Sequence, residues 1–455
     1  MNEDVIYALN SMKGEETVYI ALVDHEPAHP FLQPGSEIRI VYGSKPERLT
    51  KIPLGVSSNK GREILEQIVR GACITCKEVF IEDLHQVLLR IGSKTLKIPD
   101  IRDGGACVFD VSFGCIWIGL EEEASTWDIA MKLGGGKNII AGAQKIFSQV
   151  SRRGKWYYFS CYIPIVEEYI QREQMPVYVW DDESKKFLKR WIHYDFNCQK
   201  GGRLNVKGTV TGKEMCFNPH FVKKTERHKV IRARPGYKIL MVDCKSAEIA
   251  MGACLSGDEV ISQILKDGGD PYSALGEDVP GGPFDRDGLK HIMIAGFAYG
   301  SSVSKLSEDL NWDPDLVRDL LKIAEKKYSK FFNWAHQFVG LAKDNKSIVT
   351  PTGRYLPIPE DRARVLAVNY LFQSTNADVN TATYAALSKS CREDRPHIVP
   401  LIHIHDGYVL EVPSETAEED RDFVVEQVSR IPLRIKELEH LTIRVKAELD
   451  DYWRA

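Results

Sequence analysis

The segment GYKILMVDCKSAEIAMGACLSGD, residues 236–258, joins an apolar strand to a helix. Residues 237–242 form the apolar run, and Asp243 stands at its carboxyl end. A helix is expected from about Ser246, with Ser246 as its cap and Gly257 closing it. A carboxylate ending a buried strand lies at a sheet rim, where α/β folds bind ligands. The same residue is equally an ordinary strand-end aspartate, common in α/β chains.

Two further segments give it company. In HIVPLIHIHDGYVLEVP, residues 397–413, apolar runs flank His405-Asp406-Gly407. Asp-Gly between hydrophobic strands signals a hairpin, so Asp406 is expected at its tip. Two aspartates brought together suit two Mg²⁺ ions about 3.5–4 Å apart, one activating a 3′-hydroxyl and one steadying pyrophosphate. In PFDRDGLKHIMIAGFAYGSS, residues 283–302, Pro283 precedes a helix that Tyr299-Gly300 closes. Arg286 and Lys290 are four apart and share a face, fit to grip the phosphates of a nucleotide or simply to be solvated.

In this order the three segments resemble the motifs of family A (DNA polymerase I-like) DNA polymerases. Asp243 with Glu248 five residues on resembles the first motif; Arg286, Lys290, Tyr299 and Gly300 resemble the fingers-helix motif; His405-Asp406 resembles the last. GTVTGK (208–213), TPTGRYLP (350–357) and NYLFQSTNAD (369–378) resemble intervening family segments, and GDPYSALG (269–276) resembles a segment of phage-type members. The resemblance covers about residues 200–455. It implies an α/β multidomain, right-hand fold: thumb at 122–199, palm at 200–268 and 348–455, fingers at 269–347. Implied too are template-directed addition of dNTPs to a primer, two Mg²⁺ ions (Mn²⁺ as substitute) on Asp243, the Cys244 carbonyl and Asp406, and catalysis aided by Lys290. Arg286, Lys290, Tyr272, Tyr299 and Glu248 would meet the nucleotide, with Glu248 crowding its 2′-position. Lys213, Arg354, Asn369, Gln373 and His405 would touch primer or template. Unidentified replication accessory proteins are further expected partners.

The chain departs from the family pattern in places. Lys290 and Tyr299 are nine residues apart where eight is usual. At roughly 100° per residue, a regular helix would turn Tyr299 away from Lys290. A single-turn π-bulge near Ile294–Gly296 would absorb the extra residue; alternatively Phe297 is the stacking aromatic. Cys244, Lys245 and Ser246 replace the common Tyr-Ser-Gln, Ala250 a frequent Arg, and Gly407 a common Glu. Lys213 in place of Arg loses a bidentate fork.

Residues 1–121 mix short apolar runs with turns and predict an α/β domain. VYIALVD, EIRIVYG and ACVFDVSFGCIWIGL read as strands, GREILEQIVRGA and LHQVLLRIG as helices. In family A this position often holds a 3′–5′ proofreading exonuclease, so the resemblance implies an exonuclease-like domain. Asp24 and Glu26 in VDHEP resemble its DxE motif, and Asp83 its second carboxylate. No third motif follows, so a degenerate, structural domain is expected. Residues 125–200 read as helical and basic: Lys137, Lys145, Arg152, Arg153 and Lys155 interleave with Trp156, Tyr157, Tyr158 and Phe159, a pattern that tracks phosphates or covers a core.

The bulk numbers agree with a large globular chain. It has 455 residues, 43% hydrophobic and 27% charged, with net charge −4, so any nucleic-acid surface must be local. Ten scattered cysteines read as reduced thiols, and the lone Cys73/Cys76 pair lacks zinc-site company. No signal peptide or membrane span is expected, and a cytoplasmic location in a bacterium or phage-infected host follows. Two rivals stand beside the polymerase reading: a related RNA polymerase or reverse transcriptase, and a non-catalytic primer-template-binding protein with a relic palm.

Overall fold

The computed structural model describes the chain except residues 1–2, 14, 24–35, 44–47, 55–57, 92–104, 121–124, 174–176, 182–183, 193–215, 218–223, 280–283, 405 and 455. Backbone contacts divide it into two compact units, residues 1–199 with 205–231, and residues 200–204 with 232–455.

The first unit is built on β1 (Thr17–Val23), β2 (Glu37–Tyr42), β3 (Arg48–Pro53), β4 (Glu78–Ile81) and β5 (Cys107–Asp110), in the order β3-β2-β1-β4-β5. β1, β2 and β3 run antiparallel, whereas β4 and β5 are parallel to β1. The helix between β3 and β4, Ser58–Thr75, supplies the crossover that a parallel neighbour requires. It and Leu84–Ile91 are helical as the sequence predicts. The run from Cys107 is a strand only to Asp110, then a helix over Val111–Trp117. Asp110 makes the switch by accepting hydrogen bonds from Phe113 N (3.0 Å) and Ser112 Oγ (2.6 Å). An apolar run without alternation does not separate strand from helix; the cap does.

Helices continue through Ile163–Glu173, but a hairpin of β6 (Val177–Asp181) and β7 (Lys186–Ile192) follows where helix was expected. β8 (Cys216–Phe217) joins it as a third strand. The aromatic cluster beside the basic residues belongs to the core: Tyr157 and Tyr158 are buried, Tyr157 stacks on Trp117, and the Tyr158 hydroxyl accepts from Asp110 N. Trp156 alone among the four is strongly exposed.

The second unit centres on an antiparallel sheet of β9 (Tyr237–Lys245), β12 (Val399–Ile404), β13 (Gly407–Pro413) and β14 (Arg444–Asp450), in the order β12-β13-β9-β14, with a small β10 (Ser347–Val349)–β11 (Tyr355–Pro357) hairpin nearby in sequence. Leu240, Val242 and Cys244 face the core, while Met241, Asp243 and Lys245 stand half-exposed on the other face. The Ala417–Ser429 helix packs along β14 and β9. The Ala247–Ser256 helix lies close to the Ser329–Asn345 and Ala363–Asp394 helices because Gly252 has no side chain. A Cβ there would meet Phe331 Cε2 at 2.5 Å and Phe372 Cζ at 3.2 Å. Gly252→Val is therefore expected to cost about 2 kcal/mol through overpacking, read as a lower denaturation midpoint with unchanged m-value.

Candidate functional site

Strand pairing brings the two aspartates together. Gly407 is the register partner of Asp243, and Asp406 immediately precedes it. The Asp406 carbonyl accepts the Cys244 N–H at 2.9 Å. Ile404 pairs with Gly407, so Asp406 lies at the tip of the hairpin that Asp-Gly predicts. The Asp406 carboxyl is held above the ordinary carboxylate range, first by burial and next by the charge of Asp243, with Lys290 opposing and Glu248 adding to the rise. Like charges converging on one rim are the setting a divalent cation relieves.

The donor chemistry fits hard cations. Asp243 and Asp406 offer oxygen, and backbone N–H and C=O of one strand residue point the same way, so the Cys244 carbonyl faces the Asp406 side. The Cys244 thiol is on the buried face against Tyr408, and burial pushes it up to about 12, which leaves it protonated and no metal ligand. Among the described residues no group of three or more His, Cys, Asp or Glu could hold a metal alone. Two carboxylates and a backbone carbonyl suit a hard divalent cation that keeps few protein ligands.

The basic helix supplies the opposite wall. Asp285 caps Arg286–Lys290 by accepting Gly288 N; Pro283, expected near the helix start, lies outside the described residues. Lys290 Nζ lies 3.8 Å from Glu248 Oε2. After Lys290 the backbone is π-helical over His291–Ala298, a longer stretch than the single turn anticipated. The wider coil returns Tyr299 to the side of Lys290: its hydroxyl donates to Glu248 Oε1, and Gln373 also meets it. Tyr299 N donates to Ile294 O at 2.9 Å and Gly300, at φ +68°, ends the run. The Phe297 side chain lies outside the described residues.

Several sequence expectations change. Ser246 precedes the Ala247–Ser256 helix in the left-handed region (φ 58°) and its hydroxyl does not cap it; Oγ instead accepts from Arg286 Nη2 at 3.2 Å. Gly257 closes that helix as expected, donating to Ala253 O. Arg354, expected at primer or template, is buried at 1% exposure and bonded to Asp378. Tyr272 is fully buried, so it lies behind Arg286 rather than at the surface a nucleotide would meet. Asn369 and Gln373 are part-exposed and four apart on the Ala363–Asp394 helix, sharing a face. Lys213, His405, Asp24 and Glu26 lie outside the described residues.

Three residues make contacts that the sequence reading did not assign. Lys245 pairs with Asp243 Oδ2, a contact that strand alternation already implies at i+2. Asp270 bonds Arg286 Nε at 2.9 Å, and Arg444 braces the same loop through Gly269 O at 2.6 Å. The Asp270-Pro271 pair was legible as a helix start; its arginine partner was not.

In the first unit Asp83 follows β4, half-exposed, and its charge acts on Glu82 and Asp110. Asp110 is fully buried and raised to about 7, by burial and then by Asp83. Both its oxygens are taken, Oδ1 by Ser112 and Phe113 and Oδ2 by Leu84 N. Glu82 is raised to about 7 by burial and accepts Trp127 N. Cys73 and Cys76 are free thiols, and burial raises Cys73 to about 12.

Residues 203–455 match the model of DNA polymerase family A. A DNA polymerase of Mycobacterium phage D29 is 28% identical over 191 residues, 41% of this chain and 30% of the phage protein. The thermostable DNA polymerase I of Thermus filiformis is 24% identical over 261 residues, 51% of this chain and 31% of that protein. This chain thus spans about a third of the length of these relatives. Its fold matches a structure described as the POL domain of Pol1 from M. smegmatis in complex with DNA primer-template and dNTP, with TM-score 0.74, 12% identity, and coverage of 100% of this chain and 98% of that one. No helix among the described residues is long and apolar enough to cross a membrane. With more than half its length under the family model and the family's motif residues converging on one sheet rim, the chain belongs to DNA polymerase family A.

Proposed function

We propose that this protein is a template-directed DNA polymerase that adds dNTPs to a primer 3′ end. The observation carrying the proposal is the register of β9 and β13, which sets Asp243 beside Asp406 opposite Lys290. Asp243, Asp406 and the Cys244 carbonyl would hold divalent cations, Mg²⁺ or Mn²⁺, which when bound lower the pKa of the attacking hydroxyl and neutralise the leaving pyrophosphate. Arg286 and Lys290 bind the β- and γ-phosphates by charge-assisted hydrogen bonds. Lys290 also offers a proton to the departing oxygen. Tyr299 stacks near the nascent pair, and Asn369, Gln373, His405 and Lys213 contact primer or template. Palm at 200–268 and 348–455, fingers at 269–347 and thumb at 122–199 complete this reading.

Primer extension with Mg²⁺ and all four dNTPs tests it. Protein that binds primer-template but never extends it would favour a relic palm, and preference for NTPs would favour an RNA polymerase. Glu248, tied to Tyr299 and facing Lys290, supports dNTP use. Glu248→Ala is expected to weaken discrimination against NTPs by about tenfold or more, measured as the ratio of kcat/KM for dNTP and NTP.

The first unit is proposed as an exonuclease-like domain without strong proofreading. The capping of Asp110 and its closed surroundings support a structural role. Metal-dependent degradation of single-stranded DNA, lost in Asp24→Ala, is the result that overturns it.

A further inference from the structure

We propose that Asp270 and Tyr272 are positioning residues that seat Arg286 for the nucleotide's phosphates, an inference resting on the polymerase reading above. The seat has three parts. Asp270 Oδ2 accepts Arg286 Nε at 2.9 Å, engaging the guanidinium by its rear edge. The guanidinium carbon lies 5.3 Å from the centre of the Tyr272 ring, which is fully buried beneath it. Ser246 Oγ accepts Nη2 at 3.2 Å. A planar fork held at Nε and supported by a ring presents its Nη edge, which Ser246 and Asp287 bond here, to an incoming oxyanion. Among the described residues Nη1 meets only the exposed Asp287 carboxylate, at 3.5 Å, and the Arg286 side chain is 39% exposed while that of Asp270 is 17% exposed.

The seat itself is anchored residue by residue. Gly269 O accepts Arg444 Nη1 of β14 at 2.6 Å. Asp270 Oδ1 caps the Pro271–Glu277 helix, accepting Tyr272 N at 3.0 Å and Ser273 N at 3.1 Å. Pro271 O accepts the Tyr328 hydroxyl at 2.7 Å. Asp270 therefore gives Oδ1 to the helix and Oδ2 to Arg286, with Arg444 Nη1 also 3.9 Å from Oδ2. An asparagine has one oxygen only: if it caps the helix, its NH₂ faces Arg286 Nε, donor against donor. Among the described residues the Tyr272 hydroxyl has no hydrogen-bond partner, so the ring rather than the phenol is what the position supplies. Tyr272 thus acts through Arg286 and not by touching the nucleotide.

Steady-state single-nucleotide extension on a fixed primer-template tests the seat, using the full chain as wild type, D270N, R286A and the D270N/R286A double variant. D270N is expected to raise the dNTP KM about tenfold with kcat within about threefold, because a charged hydrogen bond aligning a ground-state phosphate contact is lost. In the R286A background D270N is expected to shift KM less than about twofold, since nothing remains to be aligned. A merely structural Asp270 would give the same loss in both backgrounds, and that result, or a D270N KM equal to wild type, overturns the proposal. Y272L probes the same seat without touching the cap; a raised KM that likewise vanishes in R286A supports the proposal, and an unchanged KM overturns it even if D270N fails to fold. Wild-type protein that does not extend the primer defeats the polymerase reading and the seat together, whereas extension by wild type with an unaltered D270N defeats the seat alone.

Discussion

Asp243→Asn and Asp406→Asn are each expected to slow nucleotide addition by about a thousandfold or more while leaving primer-template affinity nearly unchanged. The loss follows from the positions of the two groups. Their charge is aimed at one rim by the β9–β13 register, and removing a preorganised charge from a transition state of this kind removes several kcal/mol, at about 1.4 kcal/mol per factor of ten. The fold should tolerate the change. Asp243 is 42% exposed and its pairing with Lys245 is at the surface, where such pairs contribute little. Asp406 is raised by burial and by Asp243, so its ionised form is disfavoured in the folded chain. A carboxyl raised on folding favours the native state below its ordinary pKa and loses that contribution as pH rises through the folded value. Removing the Asp243 charge lessens this loss, so in chelator at neutral pH the melting temperature of Asp243→Asn should match or exceed wild type, with the difference closing near pH 4. Single-turnover extension, DNA binding by anisotropy and thermal melting measure the three quantities. Equal loss of extension and DNA binding, with a lowered melting temperature, would mean the aspartates hold the fold instead.

The second large effect is on stability. Arg354 and Asp378 form an ion pair with side chains only 2% exposed, and Thr352 Oγ1 donates to Asp378 Oδ2 at 2.7 Å. Thr350 Oγ1 lies 2.8 Å from Thr352 Oγ1 and accepts Arg354 N at 3.0 Å, so the chain 350–354 is tied to the Ala363–Asp394 helix. Asp378→Ala leaves a guanidinium buried without its carboxylate and is expected to cost about 3–5 kcal/mol of unfolding free energy. The double replacement Arg354→Met with Asp378→Leu should recover most of that loss, because apolar side chains of similar volume remove both desolvation penalties. Urea denaturation checks both. A single variant as stable as wild type would mean that water reaches the pair. Because Asn369 and Gln373 ride on the same helix, the single variant should also raise the apparent Kd for primer-template, and the rescued one should restore it.

That pair marks where sequence reading stops. TPTGRYLP placed Arg354 in a family segment, and a basic residue in a polymerase invites a phosphate; only the packed structure shows the guanidinium turned inward onto Asp378. Tyr272 is similar, since periodicity makes it helical but does not say that it underlies Arg286. Ser246 has the residue type of a cap, yet its left-handed backbone aims the hydroxyl elsewhere.

What the amino-acid order determined by itself is local and periodic. The apolar run ending at Asp243, the Asp-Gly turn at Asp406 and the four-residue spacing of Arg286 and Lys290 follow from alternation, turn chemistry and helical pitch. The nine-residue spacing of Lys290 and Tyr299 raised a widened helix as one of two readings, because a regular one would misdirect the ring. What tertiary structure alone decided is which distant charges meet: Asp270 with Arg286 and Asp378 with Arg354. These pairings depend on strand register and on packing between elements far apart in the chain, and many partners of opposite charge satisfy the same local pattern until the core closes and leaves one within reach.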